Sequence, residues 1–182
     1  MNSAKELIDE HAVIMKVVTS LKWQAAALSS GKPVPEEQLT ETLALLVEFA
    51  DKCHHAKEEG ILFPALDKLP PYKPAVAEFL DEHARSRANV RAMRACPAAA
   101  TDEVARKAFV ENANSYVSIL VRHIQKENVL FSKCGEIFSA AENERMAEEY
   151  ERIEKEEIGE GKHEEYHSRA DKLAAEARFL WR

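Results

Sequence analysis

Glycine and proline are scarce in this 182-residue chain, at five and seven residues, and they fall between patterned segments. Alternating Val, Ile and Thr runs are missing, while Leu, Ala, Glu and Lys dominate, a mix that favours helices over strands. No apolar run approaches the ~20 residues of a membrane span, so no membrane partner is expected. Basic residues do not exceed acidic ones: 25 stand against 32, a formal charge of −7. Such a surface repels nucleic acid and anionic lipid. The three cysteines, Cys53, Cys96 and Cys134, are odd in number, widely spaced and without any CxxC, which points to a reducing, cytoplasmic setting. The opening MNSAKELIDEH lacks the basic start and greasy core of a signal peptide. No Gly-rich phosphate loop or GxSxG elbow appears, so nucleotide and serine-hydrolase readings have no support.

What is present reads as one helical domain over residues 1–182. Apolar residues make up 46% of the chain and charged ones 31%, as in ordinary globular proteins. Ser3 and Glu6 form a capping-box pattern, and Leu7, His11, Ile14, Val18 and Leu21 follow at helical steps, predicting a first helix from Ser3 to Leu28. After the turn SSGKPVP, a second helix carries Leu39, Leu43, Leu46, Val47, Ala50, His54, Glu58, Leu62 and Ala65 on one stripe and ends before Pro70. A third carries Val76, Phe79, Leu80, His83 and Val90 inward, and stops at the Cys96-Pro97 loop. Thr101 or Asp102 caps a fourth, with Phe109, Tyr116, Ile119, Leu120, His123, Glu127, Leu130 and Phe131. Ser139 and Glu142 box a fifth helix, Gly159-Glu160-Gly161 breaks it, and a short last helix carries His163, Tyr166, His167, Leu173 and Leu180. Four long helices with short loops predict an antiparallel up-down four-helix bundle of about residues 3–138. The extension of about 139–182 packs outside it or across one end.

Histidine sets this chain apart from a plain bundle. His11, His54, His83 and His123 each sit on the apolar stripe of a different helix. A lone histidine there is ordinarily a hydrogen-bonded core residue. Four such imidazoles buried together are costly unless something satisfies them all, and a shared metal does. His54 and His123 each have a glutamate four residues on, Glu58 and Glu127, on the same helix face. Their surroundings repeat, HHAKEEGILF at 54–63 against HIQKENVLF at 123–131. A single HxxxE is usually a solvated salt bridge, whereas the repeated pair with two further stripe histidines suits two metals bridged by carboxylates: iron, manganese or zinc.

The ordered set Glu10-His11, His-His-x-Lys-Glu-Glu with Leu-Phe-Pro at 54–64, Glu82-His83, and His-Ile-x-Lys-Glu at 123–127 resembles the hemerythrin, or HHE cation-binding, family. The resemblance covers residues 3–138. It implies a di-iron centre with an oxo or hydroxo bridge and two bridging carboxylates. The ligands it implies are His11, His54, Glu58, His83, His123 and Glu127. Two departures stand out. Family members with the full set have a fifth histidine one turn from the third-helix ligand, where this chain has Phe79 and Arg87. The second motif is also one residue shorter between Glu and Phe, with Ser132 in place of Pro64.

The missing ligand is expected from the tail: His163 and His167 lie four apart on the last helix, which the Gly-Glu-Gly break lets fold back. His55 and Glu59, turned about 100° from His54 and Glu58, are read as supporting groups behind the ligands. Cys53 and Cys134 read as core fillers, Tyr116 as a core residue or else a donor near the metals, and Trp23 and Trp181 as structural residues. Mostly neutral imidazole ligands favour the ferrous pair, so the expected function is a cytoplasmic non-haem di-iron protein that binds O₂ or NO for sensing, storage or detoxification. Binding is favoured over catalysis. The alternative is a di-iron oxidoreductase acting on peroxide or NO, or an iron-donating repair protein for iron–sulfur centres. A sensor of this kind needs a separate protein partner, since no output module accompanies it.

Overall fold

The computed structural model of the chain describes residues 2–96, 99, 101–159 and 161–181, without the side chains of Glu157 and Trp181. Pro97, Glu160 and the Trp181 side chain, all singled out from the sequence, lie outside the described residues. Among those described, every element is helical. Helix α1 spans Ala4–Ser29. Helix α2, Glu36–Leu45, continues without leaving the helical region through wider π-helical turns, Leu46–His55 and Glu58–Leu62, into α3, Phe63–Asp67. Helix α4 spans Lys73–Arg94 and α5 Glu103–Phe131. The extension holds α6, Cys134–Ile137, then α7, Ala140–Arg152, a π-helical segment Ile153–Gly159, α8, Lys162–Ala177, and a final 3₁₀ turn, Arg178–Trp181.

Local chemistry explains most ends. Asp102 Oδ1 accepts from the Ala105 N–H at 2.7 Å and caps α5. Ser139 and Glu142 form the expected reciprocal box at the start of α7. Helix α1 stops where Gly31 turns left-handed, φ 74°. There the Lys32 N–H reaches Ala27 O at 2.9 Å and the Gly31 N–H reaches Leu28 O at 3.1 Å, a Schellman closure. The start of α1 departs from expectation. Ser3 is itself helical and caps nothing; its N–H and Oγ both reach Asn143 Oδ1 of α7 at 3.0 Å. Burial against the extension has replaced local capping, and Glu6 is drawn to Lys57 at 2.7 Å instead.

Helix α5 packs against α1 and α4, α8 runs along α1 and α2, and α7 crosses near Glu58–Leu62. Two apolar clusters result. One contains Ile14, Val17, Leu21, Phe49, Phe109, Tyr116 and Leu120. The other contains Leu7, Leu62, Phe63, Phe79, Phe131, Met146 and Tyr150. Each fully buried aromatic here contributes roughly 1.5–3 kcal/mol. Leu80, expected inward, is 41% exposed, because Phe79 and His83 take the inward face of α4. Between the clusters lies a thin polar layer.

Candidate metal centre

The layer consists of the residues that the helical spacing singles out. His11, His54, Glu58, His83, His123 and Glu127 are each at most 2% exposed. His54 Nε2 lies 3.1 Å from Glu58 Oε1, and His123 Nε2 lies 3.0 Å from Glu127 Oε2. His11 Nε2 stands 3.7 Å from Glu58 Oε1 and 3.3 Å from Glu127 Oε2. His83 Nε2 stands 3.4 Å from Glu58 Oε2 and 3.9 Å from Glu127 Oε1. Phenylalanines of the second cluster wall the layer on one side. Phe131 stacks on His11, Phe63 stacks on His83, and Phe79 meets His123 edge-on.

The outward Nδ1 atoms are held in a circuit that the sequence reading did not foresee. His54 Nδ1 donates to Glu10 Oε2 at 2.8 Å and His83 Nδ1 to Glu59 Oε1 at 2.6 Å. His123 Nδ1 donates to Glu82 Oε2 at 2.9 Å and His11 Nδ1 to Asn128 Oδ1 at 2.7 Å. Each acceptor is the chain neighbour of a residue in the layer, yet it serves an imidazole on the next helix: α1 serves His54, the His54 rod serves α4, α4 serves α5, and α5 serves α1. Each carboxylate in the circuit also meets a cation: Glu10 meets Lys57 at 2.6 Å, Glu59 meets Arg87 at 2.8 Å, and Glu82 meets Lys126 at 2.5 Å. Such partners fix tautomer and ring orientation and leave Nε2 as a bare lone pair facing inward. The sequence signal was available, because Glu10 and Glu82 are part of the motif pairs; only the cross-helix pairing was hidden.

His55 also faces the layer. It is 3% exposed, and its ring stacks on His83 at 3.7 Å between centroids. In a regular α-helix successive side chains diverge by about 100°. The π-helical turns over Leu46–His55 have more residues per turn, so they narrow that angle and let His54 and His55 share one buried side. π-helical widening recurs at functional sites, usually as single turns; here it runs over Leu46–His55.

These donors fit a cation. His55, Glu58, His83 and His123 can bring one ligand atom each within 4.8 Å of one another, and so can His11, His54, Glu58 and Glu127. His11 Nε2 and both carboxylate oxygens of Glu58 and Glu127 are buried with no hydrogen-bond partner among the described residues. Four orphaned carboxylate oxygens in a dry interior are expensive. His83 Nε2 and His123 Nε2 face each other at 2.9 Å, although both rings already spend Nδ1–H outward, which sets lone pair against lone pair unless positive charge lies between. Protons supply it only in part. Burial lowers the His54 pKa, but Glu58 and Glu10 overcome that and push it up to about 10. Burial, reinforced by His83, pushes His55 down to about 3. Burial opposes ionisation of Glu58 and Glu127, and the surrounding imidazoles nevertheless hold both below the usual carboxylate range.

The tail histidines, expected as ligands, are not brought into this layer. His163 Nε2 meets Glu10 Oε1 at 3.0 Å, on the far side of that carboxylate from His54. His167 packs on Phe49 and His163. The physical reason is reach: α8 runs along the outside of α1, so Glu10 and Phe49 stand between its imidazoles and the layer. Lys57, wholly buried, crosses the same region and meets Glu6, Glu10 and Glu154. Cys53 and Cys134 are buried free thiols whose pKa burial pushes up to about 12, unreactive core residues. Tyr116 is buried beside a cavity of about 150 Å³ that reaches His55.

No helix among the described residues is long and apolar enough to cross a membrane. An uncharacterized protein of Mycobacterium bovis and two of Mycobacterium tuberculosis, from strains CDC 1551 and H37Rv, are each 25% identical to the chain over 177 residues. The match covers 96% of this chain and 68% of each relative. No solved structure matches the chain. The hemerythrin HHE cation binding domain matches residues 2–134, the stretch that contains every imidazole and carboxylate of the layer, and the chain belongs to that family.

Proposed function

We propose that the layer binds two metal ions, iron in the cell, and that the protein is a non-haem di-iron binder of O₂ or NO. His11 and His54 would hold one ion and His55, His83 and His123 the other, with Glu58 and Glu127 supplying carboxylate between them. The fold assigned to it is an antiparallel up-down bundle of α1, the rod from α2 to α3, α4 and α5, in one domain with the extension from α6 onward. The observation that carries this reading is Glu58. Its Oε1 faces His11 and His54 while its Oε2 faces His83, and among the described residues it alone belongs to both donor groups of the layer, a third group of Glu10, Glu154 and His163 lying outside it.

The His11–His54 side has one imidazole fewer, and an iron pair, if held by these residues, would supply reversible binding of O₂ or NO. The chain's own residues do the rest. Glu10, Glu59, Glu82 and Asn128 keep Nδ1 protonated and Nε2 free. Phe63, Phe79 and Phe131 keep water away from one side of the layer. Five imidazoles against two carboxylates leave the ions less neutralised than a carboxylate-rich site does, which favours the ferrous pair. Iron quantitation with a visible spectrum tests the reading: about two irons per chain are expected. Protein purified without chelator and found free of metal would overturn it.

A second reading, an oxidoreductase acting on peroxide or NO, draws on the cavity at His55. The buried Ser86 hydroxyl lines it without a partner, a protic group suited to proton delivery. Stopped-flow mixing of the reduced protein separates the two. A stable, reversible O₂ adduct supports the binder, and multi-turnover consumption of peroxide or NO supports the enzyme.

A further inference from the structure

The three carboxylates of the Nδ1 circuit are not equivalent. Glu59 and Glu82 each join one imidazole to one cationic side chain. Glu10 joins two imidazoles and a lysine: Oε2 accepts from His54 Nδ1, while Oε1 accepts from Lys57 Nζ and His163 Nε2. Glu10 is 1% exposed, so protein groups rather than solvent hold it. His163 belongs to the extension, outside residues 2–134 that the family domain matches.

We propose that His163 is a positioning residue for the His54 imidazole, acting through Glu10, so that the C-terminal extension sets the metal-binding geometry from outside the bundle. This rests on the reading of His54 as a metal ligand. The two oxygens of one carboxylate move together, and holding Oε1 therefore fixes the plane in which Oε2 meets His54 Nδ1. The extension is built to deliver that hold. Gly161 takes φ 77°, a value that L side chains rarely adopt, and turns the chain from Ile153–Gly159 into α8. His163 then falls in the first turn of α8, edge-on to Phe49 at 5.8 Å between centroids and 4.6 Å from the His167 ring. From the preceding segment, Glu154 reaches both Lys57 and His163. Both arms of the extension thus meet at Glu10.

The test compares iron-loaded wild type with His163→Ala, His163→Gln and His167→Ala. The glutamine amide can still donate to Glu10, and His167→Ala removes a neighbouring imidazole of the same helix that makes no hydrogen bond to Glu10. Loss of a supporting partner costs metal sites about 10–100-fold in affinity, and an indirect one belongs at the lower end. His163→Ala is expected to release iron to a chelator about tenfold faster and to shift the visible bands and midpoint potential, while His163→Gln and His167→Ala stay near wild type. Wild-type release, spectrum and potential in His163→Ala would overturn the proposal and leave the metal reading standing. Equal changes in His163→Ala and His167→Ala would also overturn it, since packing of α8 would then be the cause. A wild type that takes up no metal removes both.

Discussion

The two His-x-x-x-Glu steps look alike in sequence and differ in the folded chain. His123 and Glu127 lie on regular α5, whereas His54 and Glu58 lie on a rod whose turns are widened on both sides. Each step also has a lysine one residue before its glutamate. Lys126 grips Glu82, which holds His123; Lys57 grips Glu10, which holds His54. The wiring is the same, but its surroundings are not. Lys126 is 36% exposed, while Lys57 is fully buried among three carboxylates under the extension. Repeated motifs therefore specify which groups meet. Local backbone and overlying chain decide how many further groups join and how much each contact matters.

The largest expected effect removes what the two halves share. Glu58→Ala is expected to bind neither ion, with metal analysis falling from about two per chain to near none while far-UV circular dichroism stays helical. One remaining ion per chain would mean that Glu127 alone organises a site. His55→Ala breaks the asymmetry itself: about one of the two ions is expected to be lost, and retention of both would make His55 a spectator beside His83. Stability then separates the lysines. Lys57→Met takes the cation from the buried Glu10 carboxylate and is expected to cost about 3–5 kcal/mol in denaturant unfolding. Lys126→Met at the surface is expected to cost at most about 1 kcal/mol. Equal costs would erase the distinction between buried and exposed copies.

The smallest expected effect contrasts neighbours. In chelator-treated protein the raised His54 pKa contributes stability that is complete below 6.5 and is lost as pH rises towards about 10. The depressed His55 pKa does the opposite. Its contribution is present above 6.5 and is lost as pH falls towards about 3. Thermal midpoints across pH should therefore flatten on the alkaline side in His54→Gln and on the acid side in His55→Gln. The same change in both variants would refute the assignment.

Much of this was legible in the sequence. The helices from Ala4 to Ala177 follow the apolar period and its Pro and Gly interruptions, and the capping boxes at Ser3 and Ser139 read identically. Only the second forms, because Ser3 is pulled towards Asn143. The six residues chosen for stripe position meet in one layer because helices packed side by side at one depth need only the correct face. His55 was hidden because the 100° rule assumes a regular helix, and nothing in HHAKEEGILF announces the widening. His163 and His167 lie outside the layer because spacing gives a face but no distance: α8 has the histidines on a shared side, yet α1 stands between them and the layer, and His163 meets Glu10 and Glu154 instead.

The Nδ1 circuit has a sense of rotation, every rod lending an acceptor forward and borrowing one from behind. A chimera that exchanged a single rod with a relative's would therefore carry away its neighbour's support while arriving without its own. Swapped whole, the four rods keep all four links; swapped singly, each puts two of the four at risk. Inheritance in this family should run by the set, with acids at positions such as Glu10 and Glu82 changing only in company with histidines on other helices.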